Sequence, residues 1–231
     1  MRMCGRFALT TPAAHLAAAF DLNSIGELEP RYNIAPTQTI AAIRRGSGKN
    51  VAMTVRWGLI PAWSSEPIST PPLINARCET LMDKPSFREA FRHRRCLIPA
   101  DGFYEWKTDG DRKQPWYIFR ADRAPLAFAG IWEERLSPEG EVLRSAAIVT
   151  TIANPALRAF HERMPVILEG DRLARWLSPR IRNLPDLADL FDPLPESHLE
   201  MYPVSKRINS VRADDARCIE RAADGSQPTL F

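Results

Sequence analysis

Apolar residues along this chain recur mostly in the patterns of β-strands. Segments rich in β-branched and aromatic residues fit half-buried or buried strands better than helices. We predict strands at Thr39–Arg45, Asn50–Trp57, 114–121, 125–134 and 144–153. Residues 46–49, which include two glycines, predict a hairpin turn between the first two strands.

The helical signals are short and isolated. We predict helices at 10–20, from Ser86 into a following buried strand, at 154–165, and around 171–177 and 184–191. Asn154 fits the N-cap of the third helix and Pro165 its end, which puts His161 near the helix C-terminus. Strands scattered between helices, without regular βαβ alternation, predict an α+β fold around a mostly antiparallel sheet.

Composition is that of an ordinary globular protein. The chain has 231 residues, of which 45% are hydrophobic and 26% charged, and this suits one domain. No apolar run approaches the ~20 residues of a membrane span, and the start lacks the apolar core of a signal peptide. We therefore expect a cytoplasmic protein without membrane association.

The basic residues are mostly arginine: 26 of the 31, in a chain of net charge +3. Arginine binds phosphate in a bidentate manner, so the excess suits a nucleic-acid partner, but codon bias in an Ala- and Arg-rich chain is the stronger explanation. The four cysteines and four histidines lack the spacing of zinc sites or of a disulfide framework. We predict no metal and no cofactor.

Three places along the chain carry candidate chemistry. Asn75 and Arg77 lie two residues apart, so on a strand they share one side, where they either bind an anionic ligand or cap a loop. Glu105 lies in an apolar segment, which either raises its pKa into the range of acid/base catalysis or requires a buried ion pair. His161 is either a proton shuttle or a packed side chain.

Seven motifs in order link these places. They are "MCGRF" (3–7), "RYNIAPTQ" (31–38), "RWGLIPAW" (56–63), "INAR" (74–77), "IPADGFYEW" (98–106), "FHERMPVIL" (160–168) and "YPVSKRINSVR" (202–212). Together they resemble the SRAP family, the SOS-response-associated peptidase-like proteins that crosslink abasic sites. The resemblance covers nearly the whole chain except its tail.

The resemblance implies a single domain, residues 4–220, with a barrel-like core, peripheral helices and a flexible tail at 221–231. It implies a basic channel for single-stranded DNA containing abasic sites. The implied reacting residues are Cys4 as nucleophile, Asn75 and Glu105 around the amine and sugar, and His161 as proton donor or acceptor. The expected DNA contacts are Arg6, Arg77 and Arg163 to phosphate, and Pro36 and Trp57 against a neighbouring base. Arg6 serves equally well in a structural ion pair.

An N-terminal cysteine suits this chemistry. Its amine, of pKa about 7.7–8.0, condenses with an aldehyde, and its thiol, of pKa about 8.5, then closes a thiazolidine ring. An imine at the sugar also favours β-elimination, which predicts lyase activity. Here Met1 and Arg2 precede Met3, so Cys4 has no free amine in the full chain. We predict that Met3 is the true start or that the chain cleaves itself before Cys4.

Two other functions remain open. Cys4, His161 and Asn75 also fit a cysteine peptidase that acts on proteins, and the chain also fits a non-catalytic single-strand binder. Gln227, Leu230 and Phe231 resemble the Q-x-x-L-F peptide that docks on the sliding clamp, although a plain disordered tail fits slightly better. We expect a monomer, associated with the nucleoid at replication forks.

Overall fold

A computed structural model describes residues 4–64, 72–110, 112–136 and 140–222. The strands in these ranges are β1 (Phe7–Leu9), β2 (Arg31–Ile34), β3 (Thr39–Arg45), β4 (Asn50–Trp57), β5 (Asn75–Arg77), β6 (Arg95–Ala100), β7 (Gly102–Asp109), β8 (Arg112–Arg120), β9 (Leu126–Leu136), β10 (Val142–Ile152), β11 (Arg163–Pro165) and β12 (Leu199–Pro203). The α-helices are α1 (Ala13–Ala19), α2 (Pro85–His93), α3 (Pro155–Arg158) and α4 (Arg172–Leu177). Short 3-10 helices occupy Cys78–Thr80, Pro185–Phe191, Glu196–His198, Lys206–Asn209 and Ala216–Cys218.

The strands form two sheets. One has five strands in the order β12-β8-β7-β1-β2. In the other, β10, β4, β3, β6 and β9 follow one another and β9 pairs back to β10, which closes a barrel. Pairings are antiparallel except that β10 runs parallel to β4 and to β5. The predicted α+β fold with a mostly antiparallel, barrel-like core is confirmed.

The five-stranded sheet is covered on both faces. Between it and the barrel, the ring of Phe7 meets those of Trp57 and Phe128 edge-on, with centroids 5.1 and 6.2 Å apart. The opposite face carries Tyr104 and Tyr117, which pack with apolar residues of the C-terminal segment 204–219. Aromatic side chains on both faces therefore hold β1, and the Cys4 end of the chain with it, in a fixed place.

The predicted helix over residues 154–165 is wrong beyond its first turn. Asn154 does cap it, with its side chain accepting a bond from the Leu157 N–H at 2.9 Å, but α3 ends at Arg158. Residues 163–165 form β11 instead, where Met164 pairs with Thr151 of β10. Pairing with β10 satisfies this backbone and buries Met164, so tertiary contacts override the local helical signal.

The described fold extends to Ala222, whose N–H donates to the carbonyl of Pro203 at 2.8 Å. Arg221 bridges to Val204, so the first two residues assigned to the tail belong to the folded part. Residues 223–231, with the predicted clamp residues Gln227, Leu230 and Phe231, lie outside the described residues. Within the described ranges, no helix is long and apolar enough to cross a bilayer.

Arg95 is a buried cation that holds α2 and α4 on the barrel. Its guanidinium donates to the carbonyls of Trp176, Phe91, Ser178 and Ile181 at 2.5–2.7 Å. It also lies 5.5 Å from the ring centroids of Phe91 and Trp176. Burial lowers the pKa of Arg95 to about 10, and the carbonyl and ring partners offset much of the cost of that burial.

We expect Arg95→Met to lower the free energy of unfolding by about 3 kcal/mol, because it leaves several buried carbonyls without donors. Urea unfolding followed by tryptophan fluorescence measures this change. Arg180→Met, at an exposed arginine, is the matched control and should change stability by less than about 0.5 kcal/mol. Equal effects of the two substitutions would refute the assignment.

Candidate active site

Cys4 and Glu105 meet because β1 pairs antiparallel with β7, with Phe7 opposite Phe103. The Cys4 N–H donates to Glu105 Oε1 at 2.7 Å. One step along, the Tyr104 N–H donates to the Arg6 carbonyl at 3.0 Å. Cys4 and Glu105 are both buried, at 0% and 3% exposure. The reacting nitrogen predicted from sequence is thus bonded to the predicted carboxylate, away from bulk water.

Burial sets the protonation of both groups. It raises the pKa of Glu105 to about 7, although hydrogen bonds from the backbone at Cys4 and Trp106 act in the opposite direction. Of the two interpretations of Glu105, the raised pKa is therefore the one that this structure shows. Burial, and then the negative charge of Glu105, raise the pKa of the Cys4 thiol well above its usual value. The buried pair therefore disfavours a resting thiolate at Cys4.

His161 follows α3, and its neighbour Phe160 packs against β8. Phe160 packs edge-on against Trp116, with ring centroids 5.6 Å apart. Trp116 lies directly opposite Glu105 in the β7–β8 pairing, so the two side chains share one face of the sheet. The His161 Nδ1 accepts a bond from the Arg163 N–H at 3.1 Å. A neutral imidazole held in this way carries its proton on Nε2.

Asn75 begins β5, which pairs with β10 so that Asn75 lies opposite Ile148. Its position is fixed by Trp57, whose indole N–H donates to the Ile74 carbonyl at 3.0 Å. Trp57 also contacts Phe7 and is completely buried. The structure therefore places Trp57 in the core and not on a surface that a base can reach. It joins the Cys4 segment to the Asn75 segment by packing.

The predicted phosphate ligands differ in their surroundings. Arg77 is exposed on β5 and forms no side-chain bond with any described residue. Arg163 is paired with Glu79, at 2.8 Å from Nη2 to Oε2, and also donates to the Thr150 carbonyl at 2.6 Å. Arg6 is half-buried and donates to two oxygens described below. Arg77 is thus the freest of the three for an incoming phosphate.

The turn before β3 presents Pro36, which is half-buried. Gln38 stiffens this turn because its Oε1 accepts bonds from the Ala35 N–H at 3.0 Å and from Arg31 Nη2 at 2.7 Å. Thr37 lies in the left-handed region, with φ of 74°, an uncommon conformation for a β-branched residue. Pro36 is therefore presented on a rigid turn.

Two residues of interest escaped the sequence analysis. Trp63 is 68% exposed in the loop that leads from β4 toward Asn75. A tryptophan in a Pro-rich segment without strand or helix periodicity has no core position to fill, and that signal could have identified it. Asn33 is a completely buried polar residue, and nothing in its local sequence shows the partners that it finds.

No three Cys, His, Asp or Glu side chains cluster as metal ligands would anywhere in residues 4–64, 72–110, 112–136 or 140–222. The four cysteines are buried and free. Of the predicted reacting residues, Cys4 and Glu105 are joined by a hydrogen bond, and Asn75 is linked to the Cys4 segment through Trp57.

Residues 3–211 match the family described as SOS response associated peptidase (SRAP). The chain belongs to the SRAP family. Cys4, Asn75, Glu105 and His161 all lie inside the SRAP match, which ends at Val211. The resemblance drawn from the seven motifs is confirmed.

Similar proteins support the SRAP assignment over nearly the full length. The abasic site processing protein YoqW of Bacillus subtilis is 39% identical over 222 residues, covering 94% of this chain and 99% of that protein. The abasic site processing protein YedK of Escherichia coli is 31% identical, with 94% and 99% coverage. A crystal structure of a Bacteroides thetaiotaomicron protein superposes with a TM-score of 0.86 at 28% identity, covering 95% of this chain and all of that one.

Proposed function

We propose that this SRAP protein processes abasic sites in single-stranded DNA by forming a covalent adduct through Cys4. The observation that carries the proposal is the 2.7 Å bond between the Cys4 nitrogen and a buried glutamate whose pKa is about 7. A carboxylate in that state can accept a proton from an amine at neutral pH and return it later. The names of the bacterial relatives point to the same substrate.

The reaction requires a free amine on Cys4. Glu105 takes a proton from the ammonium, and the amine adds to the C1′ aldehyde of the ring-opened sugar. His161 Nε2–H protonates the departing oxygen, which leaves as water, and a C1′=N bond forms. The thiol then adds to C1′, its proton passes to nitrogen, and the five-membered thiazolidine closes. Asn75 bonds the sugar oxygens. For the lyase product, the imine loses a proton from C2′, a C2′=C3′ bond forms and the phosphate leaves from C3′.

Maturation must precede this chemistry, because in the full chain the Cys4 nitrogen belongs to a peptide bond and cannot form an imine. Either translation starts at Met3 and that methionine is then removed, or the chain cleaves itself between Met3 and Cys4. Intact mass spectrometry of protein made from the native gene should show Cys4 as the first residue. A protein that retains Met1 would contradict both routes.

The DNA path in this proposal combines exposed and half-buried groups. Arg77 and Arg6 bind phosphates, Arg163 binds one in competition with Glu79, and Pro36 abuts a base. Trp63 takes the base-stacking role first given to Trp57, because an exposed indole offers a π-face to any base.

Replacing Trp63 by alanine should weaken binding to single-stranded DNA by about 1–3 kcal/mol, the usual worth of one stacked base. Fluorescence anisotropy with an undamaged oligonucleotide measures the loss, and Trp63→Phe should retain most of the affinity. Leu136, an apolar residue of similar exposure at 69%, supplies the control Leu136→Ala. Unchanged affinity in Trp63→Ala would remove Trp63 from the DNA path.

A denaturing gel, run beside a peptide-cleavage assay on the same protein, separates the candidate functions. Protein that begins at Cys4 is incubated with abasic and with intact single-stranded DNA, and the products are denatured. A band shift with abasic DNA alone supports the proposal. Peptide turnover without a shift would favour a peptidase, and reversible binding without a shift would favour an adaptor. The raised pKa of the Cys4 thiol argues against the peptidase, which needs a thiolate.

The tail adds a second proposed contact. A glutamine followed, after two intervening residues, by an apolar pair suits the groove of the bacterial sliding clamp, which would bring the protein to replication forks. A clamp-binding assay should show weaker binding after deletion of Gln227–Phe231. Equal binding by the intact and shortened proteins would reject this contact.

A further inference from the structure

Arg6 is a half-buried cation that bonds only neutral oxygens among the described residues. Its Nη1 donates to Asn33 Oδ1 and to the Ile208 carbonyl, both at 2.8 Å. In the part of the chain that the structure describes, Arg6 forms no ion pair. Burial lowers the pKa of Arg6, so the free-energy cost of placing the charge here is not offset by a carboxylate. An anion from outside the chain would supply the missing partner.

The hydrogen bonds of Asn33 fix its side-chain amide in an orientation that faces the Arg6 guanidinium. It is completely buried. Its Nδ2 donates to the carbonyls of Ser210 and Ala213 at 2.9 and 2.6 Å, which leaves Oδ1 to face Arg6. Its backbone N–H donates to Asp214 at 2.9 Å. The amide is thus locked by the C-terminal segment in the one orientation that accepts a bond from a guanidinium.

The other edge of the guanidinium makes no bond with a described residue. With Nη1 occupied, Nε and Nη2 form the donor pair that matches two oxygens of one phosphate. Arg6 lies two residues from Cys4, a span of at most about 7 Å. Its carbonyl is bonded to the residue before Glu105. A phosphate on this edge would adjoin a sugar held at Cys4.

We propose that Asn33, together with the Ile208 carbonyl, is the positioning residue that presents the free edge of Arg6 to a DNA phosphate. The position of this phosphate next to the reacting sugar rests on the proposed function. The contact between Arg6 and a DNA phosphate does not depend on it. The segment 206–213, about two hundred residues from Arg6 along the chain, thereby becomes part of the DNA site.

The test is equilibrium binding of undamaged single-stranded DNA across a salt series. Arg6→Gln should weaken binding about tenfold and reduce the slope of log K against log salt by about 0.7, the value for one phosphate contact. Arg6→Lys should recover little of the affinity, because a point charge lacks the two-pronged geometry. Arg180→Gln, at an exposed arginine, should leave the slope unchanged.

A double-mutant cycle assigns the role of Asn33. Asn33→Ala should weaken binding several-fold in the parent protein and have no further effect in Arg6→Gln. An equal loss in both backgrounds would show a merely structural role and overturn the proposal. If Asn33→Ala does not fold, the comparison of Arg6→Gln with Arg6→Lys tests the proposal alone. An Arg6→Lys protein with the full affinity of the parent for DNA would then overturn it.

The outcome is separable from the fate of the proposed function. A parent protein that binds with the predicted salt slope but gives no adduct with abasic DNA would refute the adduct chemistry and leave the Arg6 contact standing. If the parent protein forms the adduct normally and Arg6→Gln leaves the salt slope unchanged, the Arg6 contact is refuted and the adduct chemistry stands.

Discussion

Replacing Cys4 by alanine in protein that begins at residue 4 should reduce the denaturation-resistant adduct with abasic DNA by at least about a hundredfold. The amine remains and still forms an imine, but no thiol is present to close the ring. Ring closure is intramolecular and benefits from an effective concentration on the order of 10⁵ M or more, so its loss leaves a hydrolysable bond. The adduct is quantified on a denaturing gel.

Borohydride reduction sharpens this test. It fixes an imine as a stable amine, so it should restore a band for Cys4→Ala and for Cys4→Ser. Cys96→Ala removes a different buried thiol and should keep the adduct of the parent protein. A stable Cys4→Ala adduct without borohydride, or its loss in Cys96→Ala, would disprove the thiazolidine.

Replacing Glu105 by glutamine should slow adduct formation by about 10²–10⁴-fold, the usual contribution of a general acid–base group. In the parent protein the rate should rise with pH as Glu105, whose pKa is about 7 in the full chain, loses its proton. Glu105→Gln should lack that inflection. Single-turnover rates between pH 5.5 and 8.5 test both statements. Glu133→Gln, at another buried glutamate, serves as the control and should retain the inflection.

The same substitution should stabilise the protein at high pH. The pKa of Glu105 is higher in the folded protein than in the unfolded chain, so its contribution to stability is complete below pH about 4.5 and is lost as pH rises through about 7. At pH 8 the buried charge costs about 3 kcal/mol, at about 1.4 kcal/mol per pKa unit. Glutamine carries no such charge.

Urea unfolding at pH 5 and pH 8 measures this difference. The free energy of unfolding of Glu105→Gln should be close to that of the parent at pH 5 and higher than that of the parent at pH 8. The same variant should form the adduct more slowly. A gain of the same size at both pH values would show that charge burial is not the cause. Opposite effects on stability and activity are expected where a carboxylate is buried for function.

Local patterns predicted part of the fold well. The bounds predicted for β3 and β4 match the structure, because alternation and the turn between them are fixed by neighbouring residues. The helix predicted over residues 154–165 fails because the pairing of β11 with β10 is a non-local interaction. Burial is also non-local: "RWGLIPAW" contains Trp57 and Trp63, and only packing made the first a core residue and the second exposed.

The sequence by itself determined the family, the fold class and the chemical groups: a cysteine near the start, a carboxylate in an apolar strand, an imidazole, an amide and arginines. Only the tertiary structure decided which of them meet. Cys4 and Glu105 are 101 residues apart, and Arg6 reaches Ile208 across 202 residues. The reason is physical: residue type fixes the intrinsic chemistry of a side chain, whereas its pKa, exposure and partners depend on which distant segments exclude water around it.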